Sequence, residues 1–204
     1  MRALLVPLIL FAVSTSVTPG PNNLMVTASG VNFGFRRTLP HMLGIMIGFP
    51  VMVVGVGLGA GVVLEAHPQL HELLRWVGIV YLLWLAWKVA TAVPAGGGAD
   101  RPERPRTFLQ AALFQWVNPK AWLMAAGAVA TYTTPGGAVL AEVVLIAAIF
   151  GVVSFPCVAL WTLFGTGMGR LFQAPRHLRL FNWGMAALIV LSVVPMAIIG
   201  SRLG

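Results

Sequence analysis

Apolar residues run along the chain in long blocks, with charges confined to the gaps between them. No charge occurs between Arg2 and Arg36, or between Arg37 and Glu65. Each run exceeds the roughly 20 residues that a helix needs to cross a hydrocarbon core of about 30 Å. A third block, residues 70–91, carries Arg75 and Lys88 near its ends, where long side chains snorkel outward. Trp76, Tyr81, Trp84 and Trp87 lie along it, and the terminal ones suit an interface. Residues 108–131, 138–166 and 180–200 complete the set. The pattern predicts an all-α integral membrane protein with six transmembrane helices.

The gaps give the organisation. Pro94 to Arg106 is Gly-, Pro- and charge-rich and reads as a flexible polar linker near mid-chain. It separates a first three-helix unit (residues 1–93) from a second (107–204), with 94–106 between them. Thr133 to Gly137 and Gly167 to Arg179 break the second unit into its three spans.

Two spans are interrupted within their own apolar length. The first holds Pro19-Gly20-Pro21 followed by Asn22 and Asn23, and the fourth holds Asn118-Pro119-Lys120 between Trp116 and Trp122. Proline removes a backbone donor and clashes with the preceding turn. In hydrocarbon a freed carbonyl has no water to bond, so such a break survives only against protein or a wet cavity. Each break is followed closely by Leu-Met (Leu24-Met25, Leu123-Met124), and each opens one half of the chain. Three spans per half make the halves enter the membrane from opposite sides. This predicts two inverted three-helix repeats with helices 1 and 4 broken, an arrangement that commonly places a binding site between the breaks.

The chemistry expected there is that of a zwitterion. Amides at the start of a half-helix suit a carboxylate, and freed carbonyls suit an ammonium group. Asn22, Asn23 and Asn118 can donate and accept, and Lys120 is the one formal charge deep in a span. Lys120 or half-helix amides are expected to hold a carboxylate, and Asn22 or freed carbonyls an ammonium. The competing reading of Lys120 is a side chain snorkelling to a headgroup, and that of Pro-Gly-Pro is a plain hinge.

Composition agrees and narrows the classes. Of the 204 residues, 58% are hydrophobic and 9% charged, too few charges for the coat of a soluble domain. The net charge of +8 is scattered between apolar runs, so it reads as a topology signal rather than a nucleic-acid surface. Arg36, Arg37, Lys88, Arg101, Arg104, Arg106, Arg170, Arg176 and Arg179 flank one side, against Arg2, Arg75 and Arg202 on the other. This bias places the 94–106 linker in the cytoplasm and both termini outside. A cleavable signal peptide ending near Ser14-Thr15-Ser16 is the alternative for the start, and an uncleaved first span is preferred. The single Cys157 excludes a disulfide scaffold or CxxC redox pair.

At the broken helices the chain resembles the LysE/RhtB family of bacterial amino-acid exporters. The resemblance rests on Thr18-Pro-Gly-Pro-Asn22, Gly30, Gly34, Gly44 and Gly48, Trp76-Val-Gly78 leading to Tyr81-Leu82, and Phe114-Gln-Trp-Val-Asn-Pro-Lys120-Ala121. Asn182-Trp-Gly184 in the last span is a less specific match. The resemblance implies a six-span secondary transporter of the inner membrane that exports amino acids or their derivatives by alternating access, driven by the proton gradient. It implies functional roles for Thr18, Pro19, Gly20, Pro21, Asn22, Asn118, Pro119 and Lys120. Some members look acidic where this chain has Asn22; Glu142, a few residues into span 5, is the proton-coupling candidate here, against the competing and favoured reading of a solvated glutamate at the outer rim. The Asn22 and Lys120 pattern leans towards neutral substrates such as homoserine, threonine or leucine over lysine or arginine.

The remaining features take blander readings. Gly44xxxGly48, Gly55xxxGly59, Gly57xxxGly61 and Gly165xxxGly169 allow close helix approach, by default within the chain and otherwise at a homodimer seam or a moving gate. Pro50 and Pro156 are expected to permit bending of spans 2 and 5. His41, His67, His71 and His177 form no metal-binding face, and Cys157 reads as a small buried hydrophobe. No catalytic constellation, metal site, cofactor or nucleic-acid partner is expected; the partners are an amino-acid substrate and the bilayer. The alternatives are a metal or other cation exporter and a non-transporting membrane subunit.

Overall fold

In a computed structural model of the chain, residues 2–91, 104–134, 138–171 and 175–200 are described. They form helices throughout, with no strand among them. α1 spans Arg2–Val17 and α2 Pro21–Gly55; a π-helical turn at Val56–Ala60 leads into the short α3, Gly61–Ala66. α4 is Pro68–Ala90, α5 Phe108–Phe114 with a 3-10 turn at Gln115–Val117, α6 Pro119–Tyr132, α7 Val139–Leu171 and α8 Pro175–Gly200. Among the described residues, four stretches are long and apolar enough to cross a membrane: Pro21–Ala60, Glu72–Ala90, Val139–Leu171 and Arg176–Val194. Leu5–Val17 and Phe108–Val117 are shorter apolar helices. Leu123 and Val152, 77% and 76% exposed, show that the outward faces are as apolar as the core, which suits lipid.

The first two predicted spans are joined by a corner rather than a loop. At Gly34, φ is +79° and ψ 172°, a conformation open essentially to glycine alone, and helix resumes at once through Arg36 and Arg37. A second glycine, Gly59 (φ +109°), turns the chain at the π-helical segment. Both corners thus fall at glycine. Pro50 and Pro156, expected to permit bending of spans 2 and 5, sit inside α2 and α7 with helical torsions around them. Of the predicted linker, residues 94–103 lie outside the described residues. Arg106 at its end lies over the rings of Tyr81 (5.0 Å) and Phe114 (6.0 Å) and donates to the Tyr81 hydroxyl. Thr107 and Gln110 then cap α5 reciprocally, Gln110 N donating to the threonine hydroxyl and Thr107 N to the glutamine side chain.

The longest seam joins α2 to α7, and it is made of glycine. A Cβ on Gly165 would lie 2.1 Å from the Thr27 carbonyl oxygen, so the two backbones touch there. Gly44 does the same against Phe108 of α5 (2.3 Å). The pairs Gly44–Gly48 and Gly165–Gly169 thus serve packing inside the chain. One apolar cluster joins α4 and α8 around Leu82 and Ile189; another joins α1, α2, α6 and α7 around Met52, Ala125 and Phe150. Cys157 is buried and unpaired with any sulfur. A reciprocal amide pair, Asn32 with Asn182 (3.2 and 3.3 Å), fixes α2 to α8 in an otherwise apolar interior.

Candidate functional site

Both interruptions expected from the proline motifs are present, and each frees backbone carbonyls that must be answered. At the first, α1 stops at Val17 and α2 starts at Pro21. Pro21 has no N–H for the Val17 carbonyl; the Trp161 indole N–H on α7 takes its place at 3.0 Å. The Asn23 amide donates back to Ser16 O and Thr18 O, both at 2.8 Å. Gly20 is extended (φ −179°), and no side chain caps the amides of α2 behind it.

At the second break the helix narrows to the 3-10 turn, Asn118 is extended, and Pro119 restarts it. The Asn118 side-chain oxygen accepts from Lys120 N at 3.2 Å, the usual work of an N-cap. That diverts the donor an unbroken helix would give to Trp116 O, and the Trp122 indole supplies another at 2.8 Å.

The two breaks meet. Lys120 Nζ donates to Thr18 O (2.7 Å), Thr18 Oγ1 (2.8 Å) and Pro19 O (3.3 Å). No carboxylate among the described residues pairs with this ammonium. Asn22 and Gln115 exchange amide hydrogen bonds at 2.9 and 3.2 Å across the same junction. Gly20 is required for the approach, because a Cβ there would stand 2.6 Å from Lys120 Cδ. Beside these contacts opens a small cleft of about 40 Å3, room for a few waters in this conformation. Thr15, Ser16, Gly20, Asn22, Asn23, Asn118, Lys120 and Ser154 form its polar side, and Ile45, Phe49, Ala121, Met124 and Val158 its apolar side.

Of the expected site residues, Gly20, Asn22, Asn23, Asn118 and Lys120 line the cleft. Thr18 and Pro19 serve as acceptors for Lys120, while Pro21 and Pro119 begin helices. Two assignments differ from expectation. Lys120 takes the freed carbonyls, the partners expected for a substrate ammonium, and Asn22 is engaged with Gln115. Glu142 stands apart, buried in the first turn of α7, where its carboxylate accepts from Thr134 N (2.8 Å) and Thr134 Oγ1 (3.0 Å). Sequence reasoning missed Thr15, Ser16, Ile45, Phe49, Gln115, Ser154, Val158 and Trp161. Gln115 had a signal, an amide side chain three residues before Asn118 inside the Phe114-to-Lys120 motif; Trp161 had none. His41 is also buried, with neither ring nitrogen bonded. Among the described residues no three His, Cys, Asp or Glu side chains come together as a metal site.

The family model described as LysE type translocator matches residues 13–198, which contain both breaks and every residue of the cleft. The chain belongs to the LysE type translocator family. The translocator is 29% identical over 187 residues to the cysteine/O-acetylserine efflux proteins of Escherichia coli (strain K12), Shigella flexneri and Shigella sonnei (strain Ss046). The match covers 90% of this chain and 92% of each relative. No solved structure gives a significant match. Family and apolar helices together make it a multi-pass inner-membrane transporter of a small molecule rather than an enzyme.

Proposed function

We propose that the translocator exports small neutral amino acids, of the cysteine and O-acetylserine kind named for its relatives, by alternating access driven by the proton gradient. The observation that carries this reading is the Lys120 ammonium, without a counter-charge, bridging two helix breaks beside a cleft. A substrate carboxylate would draw Lys120 Nζ away from Thr18 and Pro19 and meet the uncapped amides of α2 behind Gly20. The substrate ammonium would take over the carbonyls that Lys120 leaves. Binding then exchanges an internal bridge between the halves for a bridge through the substrate, which is the differential contact that a shift between two states needs. Thr18, Pro19, Gly20, Pro21, Asn22, Asn23, Asn118, Pro119 and Lys120 form this proposed site.

The proposed architecture is six spans in two inverted repeats, residues 1–93 and 107–204, with both termini outside. At about 1.5 Å per residue, α1 is roughly 24 Å long and the part of α2 before Gly34 roughly 20 Å, so neither crosses a 30 Å core alone and together they make one broken span. α5 with its 3-10 turn, and α6, combine in the same way. Packing supports the repeat, since exchanging the halves maps contacts onto contacts: α1 on α7 corresponds to α5 on α2, and α4 packs on α8. Glu142 is the proposed proton carrier. It holds Thr134, just past the end of the α6 helix that carries Lys120 in its first turn, so its protonation would release the far end of the element that bears the bridge.

Efflux from preloaded proteoliposomes across an amino-acid panel, with and without a collapsed proton gradient, tests the reading. Small neutral amino acids should leave, and more slowly once the gradient is collapsed. The double variant Lys120→Ala with Asn22→Ala should lose at least about tenfold in rate, since it removes charge-assisted bonds on the order of 1.5–3 kcal/mol each. Glu142→Gln should abolish the response to the gradient. Unchanged efflux in the double variant would remove the proposed site.

A further inference from the structure

Helical serines and threonines normally return their hydroxyl to the carbonyl one turn back. Here Thr15, Thr27, Thr38, Thr133, Thr162 and Thr166 all do so, at 2.6–2.9 Å. Buried Ser29 pairs instead with the Thr38 hydroxyl. Two further hydroxyls have no partner among the described residues: Ser16 Oγ on α1 is fully enclosed, and Ser154 on α7 belongs to a residue only 5% exposed, its hydroxyl reached from the cleft. Both line the cleft. A buried polar group left unpaired is costly, and its coincidence with a cavity points to a ligand that completes it.

Their position says which part of a ligand they meet. Lys120, the Thr18 and Pro19 carbonyls and the α2 amides provide for the two charged ends of a zwitterion. Ser154 comes from α7, four residues before Val158 of the apolar side, which also includes Ile45 and Phe49. Among the described residues no carboxylate lines the cleft, so a cationic side chain finds no counter-charge from them. The floor beside the serines therefore accepts a group that is short and neutral and can bond to a hydroxyl.

We infer that Ser154 and Ser16 are specificity-determining residues that recognise an uncharged hydrogen-bonding group, hydroxyl, thiol or ester carbonyl, on the side chain of a small amino acid. This rests on the exporter reading above and adds the side-chain half of recognition to it. Nothing in the sequence marked either position as part of a binding site, and neither is among the residues implied by the family motifs.

The test compares serine, O-acetylserine and alanine as substrates of wild type, Ser154→Ala and Ser16→Ala in proteoliposomes, with KM and maximal rate determined separately. Serine and alanine differ by one hydroxyl, so their ratio isolates the contact. Wild type should favour serine and O-acetylserine over alanine, and each variant should reduce that preference on the order of fivefold to tenfold, mainly through KM, as the loss of one neutral hydrogen bond predicts. Ser154→Cys, with a weaker donor, should fall between. Melting temperatures in detergent, read for every variant, separate misfolding from altered choice. An unchanged serine-to-alanine ratio in both properly folded variants overturns the assignment while leaving the exporter reading intact. A wild type that moves none of the three overturns the exporter reading, and the assignment falls with it.

Discussion

At the first break the carbonyls of Ser16, Val17, Thr18 and Pro19 are answered by Asn23, by Trp161 from α7 and by Lys120 from α6. At the second, the Trp116 carbonyl is answered by Trp122 and the Lys120 amide by Asn118, partners two to six residues away. The first break is thus completed in part by the other half of the chain, over sequence separations above 100 residues, whereas these groups at the second find partners nearby. In hydrocarbon both solutions satisfy the backbone, but only the first can be undone by moving one half against the other. A transporter that alternates its access needs a joint of that kind.

The largest effect expected from this contrast follows from Lys120→Met, which keeps most of the side-chain bulk and removes the ammonium. Hydrogen exchange of peptides spanning residues 16–24 should accelerate by more than about tenfold, because Pro19 O and the Thr18 hydroxyl lose their partner. Exchange around residues 115–122 should change little, since Lys120 N keeps its bond to Asn118. Equal acceleration at both breaks would dissolve the contrast. Next come the two tryptophans. Trp161→Phe and Trp122→Phe each remove the indole donor of one freed carbonyl, at about 0.5–1.5 kcal/mol, Val17 being exposed and Trp116 half-buried. Trp161→Phe should loosen the first break from a distance of 144 residues in sequence, and Trp122→Phe only the second, as read by the same exchange experiment and by chemical or thermal denaturation in detergent.

How much of this was legible in the sequence follows from the same division. The helical membrane class and the two interruptions were readable because their causes are local: uncharged runs, Pro21 without an N–H, Asn118 placed to cap α6. Lys120 was conspicuous as a charge inside an apolar segment, yet its partners were not, because a sequence does not say which freed carbonyl a long flexible side chain will find. Ser154 and Ser16 were invisible as functional residues for a related reason. A serine in an apolar helix is ordinarily self-satisfied, and that these two are not is a property of the assembled cleft. The corners at Gly34 and Gly59 were not legible, because many glycines occur in these spans and only the folded backbone shows which of them take a positive φ.

The smallest expected effect on stability is also the sharpest probe of the joint. In Gly20→Ala the new Cβ would sit 2.6 Å from Lys120 Cδ and 3.1 Å from Nζ, so something must give. The backbone at Gly20 is extended, which alanine adopts without strain, and the obstructing atoms are the free end of a flexible side chain. Stability should therefore fall less than in Lys120→Met, because the ammonium is kept and the Thr18 and Pro19 carbonyls, exposed at this junction, pass to water. The ammonium, however, would have to swing off Thr18 and Pro19, so efflux should drop several-fold while the protein melts almost where wild type does. The contrasting change on the other side, Asn118→Ala, removes a cap at about 1 kcal/mol and should lower stability while leaving the amides of residues 16–24 nearly as protected as before. If Gly20→Ala exports at the wild-type rate with Lys120 displaced, the bridge between the breaks is packing alone, and the carbonyls of Thr18 and Pro19 lose their place in the transport cycle.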